Sequence, residues 1–189
     1  MNTVIDTIIK RRSTRAYLDK AVDVAHLDAI IEAGLYAPSG GNHQLVRLFV
    51  LQGETIKALN SALVSAFLEW ELDPSKYQNK SAVRARQQNC DFFFGGQILI
   101  SAIAPRNHPN GMADSANALQ NMQIAAASLD LGACWINQPH WQTDHPAVRK
   151  IFEDIGMRED EDIFGSVIIG HPTHEKQPPL PRKPNRVVM

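Results

Sequence analysis

What this chain lacks narrows its function before any motif is read. It has two cysteines in 189 residues, Cys90 and Cys134, far apart and with no Cys-x-x-Cys. That pattern predicts free or buried thiols in a reducing cytoplasm rather than a disulfide scaffold. No basic-then-apolar leader opens the chain, which predicts no signal peptide. The longest strongly apolar run, Ile98 to Ala104, is far too short to span a bilayer. A surplus of charge is missing as well: 19 Lys+Arg stand against 20 Asp+Glu, a formal net charge of -1. A nucleic-acid or anionic-membrane partner needs a basic excess, so neither is expected. There is no internal repeat, and the only low-complexity tract is a proline-rich tail.

Several catalytic signatures are absent too. No Gly-x-Gly-x-x-Gly follows a strand pattern and no Walker loop occurs, so the usual dinucleotide and NTP sites are not written here. There is no Gly-x-Ser-x-Gly elbow. His140 and His145 are five apart, off the one-face helical spacing of four, and the seven histidines show no ligand spacing. No metal is expected.

What remains is an ordinary soluble composition, 44% hydrophobic and 21% charged, in a length that suits one domain over 1–189 with a buried core. Thr3, with Asp6 three residues on, reads as the cap of a first helix carrying Val4, Ile5, Ile8 and Ile9. Asp23 caps a second, with Leu27, Ile30, Ile31 and Leu35 as its stripe, stopped by Ala37-Pro38. A strand is expected over 46–51 with Arg47 its only charge. An amphipathic helix follows over 54–70. The polar segment 73–90, with Lys76, Lys80, Arg84 and Arg86, reads as a mobile, partly helical excursion. The triplet Phe92-Phe93-Phe94 reads as core rather than ligand cover. A strand is expected over 97–104, and then a helix over 113–129. That helix has no charge except Asp114 and is apolar nearly all round. It is therefore buried on more than one side, against a sheet and against something else, such as a partner subunit. Gly132 to Gln138 holds a short strand or turn. Asp144 caps a helix with Pro146 in its first turn. Val167-Ile168-Ile169 marks a last buried strand, and an extended arm closes the chain over 176–189.

Three segments carry chemistry. Lys10-Arg11-Arg12-Ser13-Thr14-Arg15 places four cations in six positions. Guanidinium forks and hydroxyls suit phosphate oxygens, although a solvated helix end would look the same. Pro38-Ser39-Gly40-Gly41-Asn42-His43-Gln44 is rich in uncharged donors, and its glycines let backbone approach a ligand. The tail joins Pro181 to Arg182-Lys183-Pro184.

Taken in order, these segments resemble the FMN-dependent nitroreductase family. The resemblance rests on Arg11-Arg12-Ser13-Thr14-Arg15 after an opening helix and on Pro38 to Gln44. It extends to the apolar helix ending in Leu131-Gly132-Ala133-Cys134-Trp135-Ile136, to Val167-Ile168-Ile169-Gly170-His171-Pro172, and to the closing Pro181-Arg182-Lys183-Pro184. It covers nearly the whole chain. It implies an α+β fold with a mainly antiparallel sheet flanked by helices, built as an intertwined homodimer with FMN at the interface. By position, Arg11, Ser13 and Arg15 would hold FMN from one subunit, with Arg12 adding backbone contacts or charge. Pro38, Ser39, Gly40 and Asn42 would come from the other. Asn137 and Gln138 would offer backbone N–H near the flavin N5 edge, and Arg182, with Lys183, would meet the phosphate. Where the family often has Gln-Pro-Trp, this chain has Gln44-Leu45-Val46, and 73–90 aligns poorly with the usual wall of the substrate mouth.

The resemblance therefore implies an NAD(P)H-dependent oxidoreductase reducing nitroaromatic, quinone or related acceptors by a ping-pong mechanism. No side-chain acid or base is called for, because the flavin carries the chemistry. Three alternatives stay open. One is a family variant acting in enone or aldehyde reduction, dehalogenation or flavin breakdown. Another is a non-catalytic flavin-binding protein, and the third a phosphate-binding module without flavin.

Overall fold

The computed structural model describes residues 2–174 and 177–188. Four strands form one sheet: β1 (Arg47–Gln52), β2 (Ile98–Pro105), β3 (Gly132–Ile136) and β4 (Glu161–Gly170). Their order is β1-β2-β4-β3, and every pairing is antiparallel. Two long apolar strands occupy the centre, so both of their faces must be covered by helices.

Side chains alternate across the sheet, as a period of two demands. Leu99, Ile103, Ile163 and Ile168 face one core, with Cys134 and Ile136 from β3. Ile98, Ile100, Val167 and Ile169 face the other, with Ala133. An irregularity between Ala102 and Ile103 lets β4 accommodate one extra residue. The first core is closed by α3 (Glu54–Glu69), α4 (Asn79–Ala85) and α7 (Pro146–Asp154), through Leu59, Leu63, Phe67, Ala82, Val148 and Phe152. The second is closed by α2 (Val24–Leu35) and α5 (Gly111–Ser128), through Ile30, Leu119, Met122 and Ala126.

α5 is central, as its uniform apolar surface predicts, and what covers its far side within the chain is α2. The two helices approach closely at Gly34, where a Cβ would come within 2.3 Å of Met122 Cε. Two caps differ from expectation. Asn2, not Thr3, caps α1 (Thr3–Lys10) by accepting from Val4 N–H. His145, not Asp144, precedes α7, and Asp144 instead pairs with Arg106. Asp23 does cap α2, accepting from Ala25 N–H at 2.8 Å.

The aromatic triplet divides. Phe92 and Phe93 are buried in the first core, whereas Phe94 is half-buried at a positive φ of 59°. The segment 73–90 is partly helical through α4, whose Ser81, Ala82 and Ala85 are buried. Tail residues 177–188 form no helix or strand; Lys176 and Met189, the ends of the expected arm, lie outside the described residues. Among the described residues no helix is long and apolar enough to cross a membrane.

Candidate flavin site

The site begins where α1 ends. Arg12 terminates the helix by turning its guanidinium back on backbone carbonyls. It donates to Ile9 O at 2.9 Å and to Arg11 O, and its Nε reaches Gln177 O in the tail at 3.1 Å. Its charge therefore meets the helix's orphan carbonyls and pins the closing arm. The chain then runs beside the edge strand β3. Ser13 forms a parallel bridge with Ala133, and Thr14 N–H donates to Ala133 O at 3.0 Å. This approach needs Gly132, because a Cβ there would lie 2.7 Å from the Thr14 hydroxyl.

Behind that bridge lies Arg11. Its Nη1 is buried and has no hydrogen-bond partner among the described residues. Its pKa is lowered by burial and by the cations Arg12 and Arg182, a tendency that the Cys134 thiol opposes. A partly buried guanidinium between two others, with a donor unsatisfied, is costly unless an anion completes it. The donor set fits a phosphate: a forked cation, a hydroxyl at Ser13 and a further cation at Arg182. Lys183 is exposed beside Arg182. A cavity of about 430 Å³ opens along this segment between Arg12–Ala16 on one side and Pro172, Thr173, His174 and Gln177 on the other.

Arg15 links that cavity to a second one. It lines both, and the second, of about 320 Å³, is also walled by Cys134, Asn137 and Gln138. Asn137 follows β3 and Gln138 opens the short helix α6 (Gln138–Trp141). Their side chains are engaged: Asn137 Oδ1 accepts from Trp135 Nε1, and Gln138 Nε2 donates to Ser81 Oγ at 3.1 Å. The Gln138 backbone N–H sits in a first helical turn, where no intrahelical acceptor exists. The Cys134 thiol has its pKa raised by burial, which disfavours a thiolate at neutral pH.

Pro38, Ser39, Gly40 and Asn42 lie elsewhere. They form a tight 3-10 turn, Gly40–Asn42, just before β1, with positive φ at Gly41, Asn42 and Gln44. β1 and β3 are opposite edges of the sheet. Pro38 and Ser39 line a cavity of about 220 Å³ of their own, with Gly34, Val46, Leu48 and Ala118. The chain thus brings together Arg11, Ser13, Arg15, Asn137, Gln138 and Arg182, and holds Pro38 to Asn42 apart.

The turn is fixed by a carboxylate that sequence reasoning passed over. Asp114 Oδ1 accepts from Gly40 N–H at 3.0 Å, while Asp114 Oδ2 meets His108 Nε2 at 2.9 Å, both side chains being buried. The available signal was its isolation as the single charge of α5.

A model of the nitroreductase family matches residues 8–171. The chain belongs to the nitroreductase family. Its fold is that of an FMN-bound nitroreductase from Bacteroides fragilis, with a TM-score of 0.90 and 27% identity, covering 100% of this chain and 99% of that one. A chloronitrobenzene nitroreductase from Comamonas testosteroni is 36% identical, over 88% of this chain and 86% of its own length. An NADPH-flavin oxidoreductase from Vibrio harveyi is 28% identical, over 100% of this chain and 73% of its own. Within this nitroreductase fold, the arginine segment lies against β3 and the Gly40–Asn42 turn lies before β1.

Proposed function

We propose that this nitroreductase binds FMN and uses NAD(P)H to reduce nitroaromatic, quinone or related acceptors. The observation that carries the reading is Arg11: a buried guanidinium N–H with no partner among the described residues, beside the Ser13 hydroxyl and Arg182, in a family member. Bound there, FMN supplies the two-electron hydride chemistry, and the protein supplies position and charge. Arg11, Ser13 and Arg182, with Lys183, are assigned the phosphate. Arg12 holds the arm in place. Arg15 is assigned the flavin's pyrimidine edge, where a fixed cation favours the electron-rich form by the preorganised electrostatics of an oxyanion hole. The backbone at Asn137 and Gln138 is assigned N5, orienting the ring.

Pro38, Ser39, Gly40 and Asn42 complete the site from a second copy of the chain. Two observations support a homodimer. One copy separates its half-sites onto opposite sheet edges. In addition, α1 has no buried residue although Val4, Ile5, Ile8 and Ile9 line it, and Val24, Leu35 and Tyr36 are exposed as well. Contiguous exposed apolar surface of this kind marks an interaction face. Two free cysteines support a reducing, cytoplasmic setting.

The test is direct. Purified protein is yellow, and NADH or NADPH bleaches it anaerobically. Steady-state plots against NAD(P)H at several acceptor concentrations are parallel, because the two substrates take turns in one cavity. A colourless protein that takes up no added FMN, or intersecting plots, overturns the reading.

A further inference from the structure

We propose that the substrate mouth selects planar acceptors carrying a negatively charged group, and that Lys80 and Arg84 are the residues that select them. The proposal deepens the oxidoreductase reading and rests on its placing of the flavin beside Arg15.

The cavity beside Arg15 has a wall that no flavin-binding assignment uses. It is built by the segment 73–90, Phe94 and α6, and it presents Tyr77, Lys80, Arg84, Phe94 and Trp141. Three of the residues lining the cavity are cations, Arg15, Lys80 and Arg84, and none is a carboxylate. That imbalance is local, because the whole chain carries a net charge of -1. It is also selective within the segment. Lys76 pairs with Asp73 at 3.7 Å. Arg86 is spent on the carbonyls of Phe67, Leu68, Trp70 and Ala82. Lys80 and Arg84, the two that reach the cavity, have no ion-pair partner among the described residues. Lys80 Nζ lies 4.9 Å from the Tyr77 ring centroid. Arg84 gives one N–H to Asp91 O at 2.7 Å, and its guanidinium stacks 4.4 Å from the Phe94 centroid. These contacts hold both cations in place and leave further N–H donors free.

The remaining surface suits a flat molecule. Tyr77 and Trp141 meet edge-to-face with centroids 5.8 Å apart, forming a rigid aromatic corner at the mouth. A cleft of one sign with low-dielectric walls concentrates ligands of the opposite sign and speeds their association. The chemistry recognised is therefore an aromatic or quinonoid plane joined to a carboxylate, sulfonate or phosphate. In the reaction with a nitro acceptor, NAD(P)H gives up two electrons as hydride and becomes NAD(P)+. The nitro group takes that hydride and a solvent proton, loses one oxygen as water and becomes nitroso.

The nicotinamide nucleotide is itself an anion, so the test separates the two sources of charge. FMN-loaded protein is reduced with a stoichiometric amount of dithionite, without any nucleotide, and mixed anaerobically with 4-nitrobenzoate or with 4-nitrobenzamide. These probes differ in charge, and the amide is the more electron-withdrawing, so intrinsic reactivity works against the expected result. Reoxidation by the carboxylate is at least about fivefold faster at low salt. The ratio falls towards one as salt screens the cleft, and in the Lys80→Gln, Arg84→Gln double variant. Calorimetric titration with benzoate and benzamide, which are not reduced, shows the same preference in binding. Equal rates for the two probes, a ratio unmoved by the double substitution, or an effect confined to NAD(P)H oxidation overturns the proposal. If the flavin reading itself fails, the protein is colourless or is not bleached, and the benzoate titration still decides the character of the mouth.

Discussion

At the scale of single residues, adjacent cations divide their labour. Arg12 is consumed by carbonyls, Arg11 is half-buried with its buried Nη1 unpaired among the described residues, and Arg15 stands between two cavities. Replacing Arg11 with Ala removes charge-assisted hydrogen bonds worth about 1.5–3 kcal/mol, a loss of roughly ten- to a hundredfold in FMN affinity by fluorescence titration. Arg15→Ala also lowers the flavin midpoint potential, because the cation favouring the reduced form is gone; potentiometry separates the two effects. Tyr17 carries a different signature. Its phenol is buried and donates to Thr14 O at 2.9 Å, and burial raises its pKa, helped by the Cys134 thiol and opposed by Arg15. A native pKa above the unfolded value contributes stability that is complete below the unfolded pKa of about 10 and is lost as pH rises past it. Stability therefore falls above about pH 10, at up to roughly 1.4 kcal/mol per pH unit. Tyr17→Phe removes that part of the slope in denaturant titrations at alkaline pH.

At the scale of elements, the site depends on the edge strand β3 accepting a partner that is not a strand. Gly132→Ala forces a Cβ into Thr14 and displaces the Ser13–Ala133 bridge. We expect weakened FMN uptake with circular dichroism unchanged, since the central pair β2 and β4 is untouched. How legible these elements were follows from what kind of interaction defines each. Strands β2 and β4 are continuous apolar runs and the amphipathic α2 and α3 repeat at helical spacing, so periodicity located them. From its residues alone the Arg11–Arg15 stretch could be read as a phosphate-type donor set or as a solvated helix end, and only the order of the other segments favoured the first. Which arginine would be left free was not legible, since it is decided by where the helix ends and where the tail lies. Neither was the Asp114 clamp on Gly40, 74 positions apart. Arg47 is a similar case: as the one charge of β1 it was visible, but its partner, the buried Glu161 at 2.7 Å, is set by the sheet's register with distant β4.

At the scale of the whole molecule, the apolar face of α1 is the feature a single copy leaves unexplained. Ile5 and Ile9 are 49% and 43% exposed, and presenting them to water with Val4 and Ile8 stabilises nothing within one copy. On the proposed homodimer, the double change Ile5→Glu, Ile9→Glu is expected to shift the protein to monomer in analytical ultracentrifugation and to deplete its flavin, although it alters no residue assigned to FMN. The separation of the two half-sites onto opposite rims of the sheet then has a thermodynamic corollary. In the proposed homodimer, cofactor retention and subunit association would be one linked equilibrium, so we expect dilution to strip the prosthetic group and free riboflavin phosphate to drive self-association. Colour in a serial dilution becomes a gauge of subunit affinity.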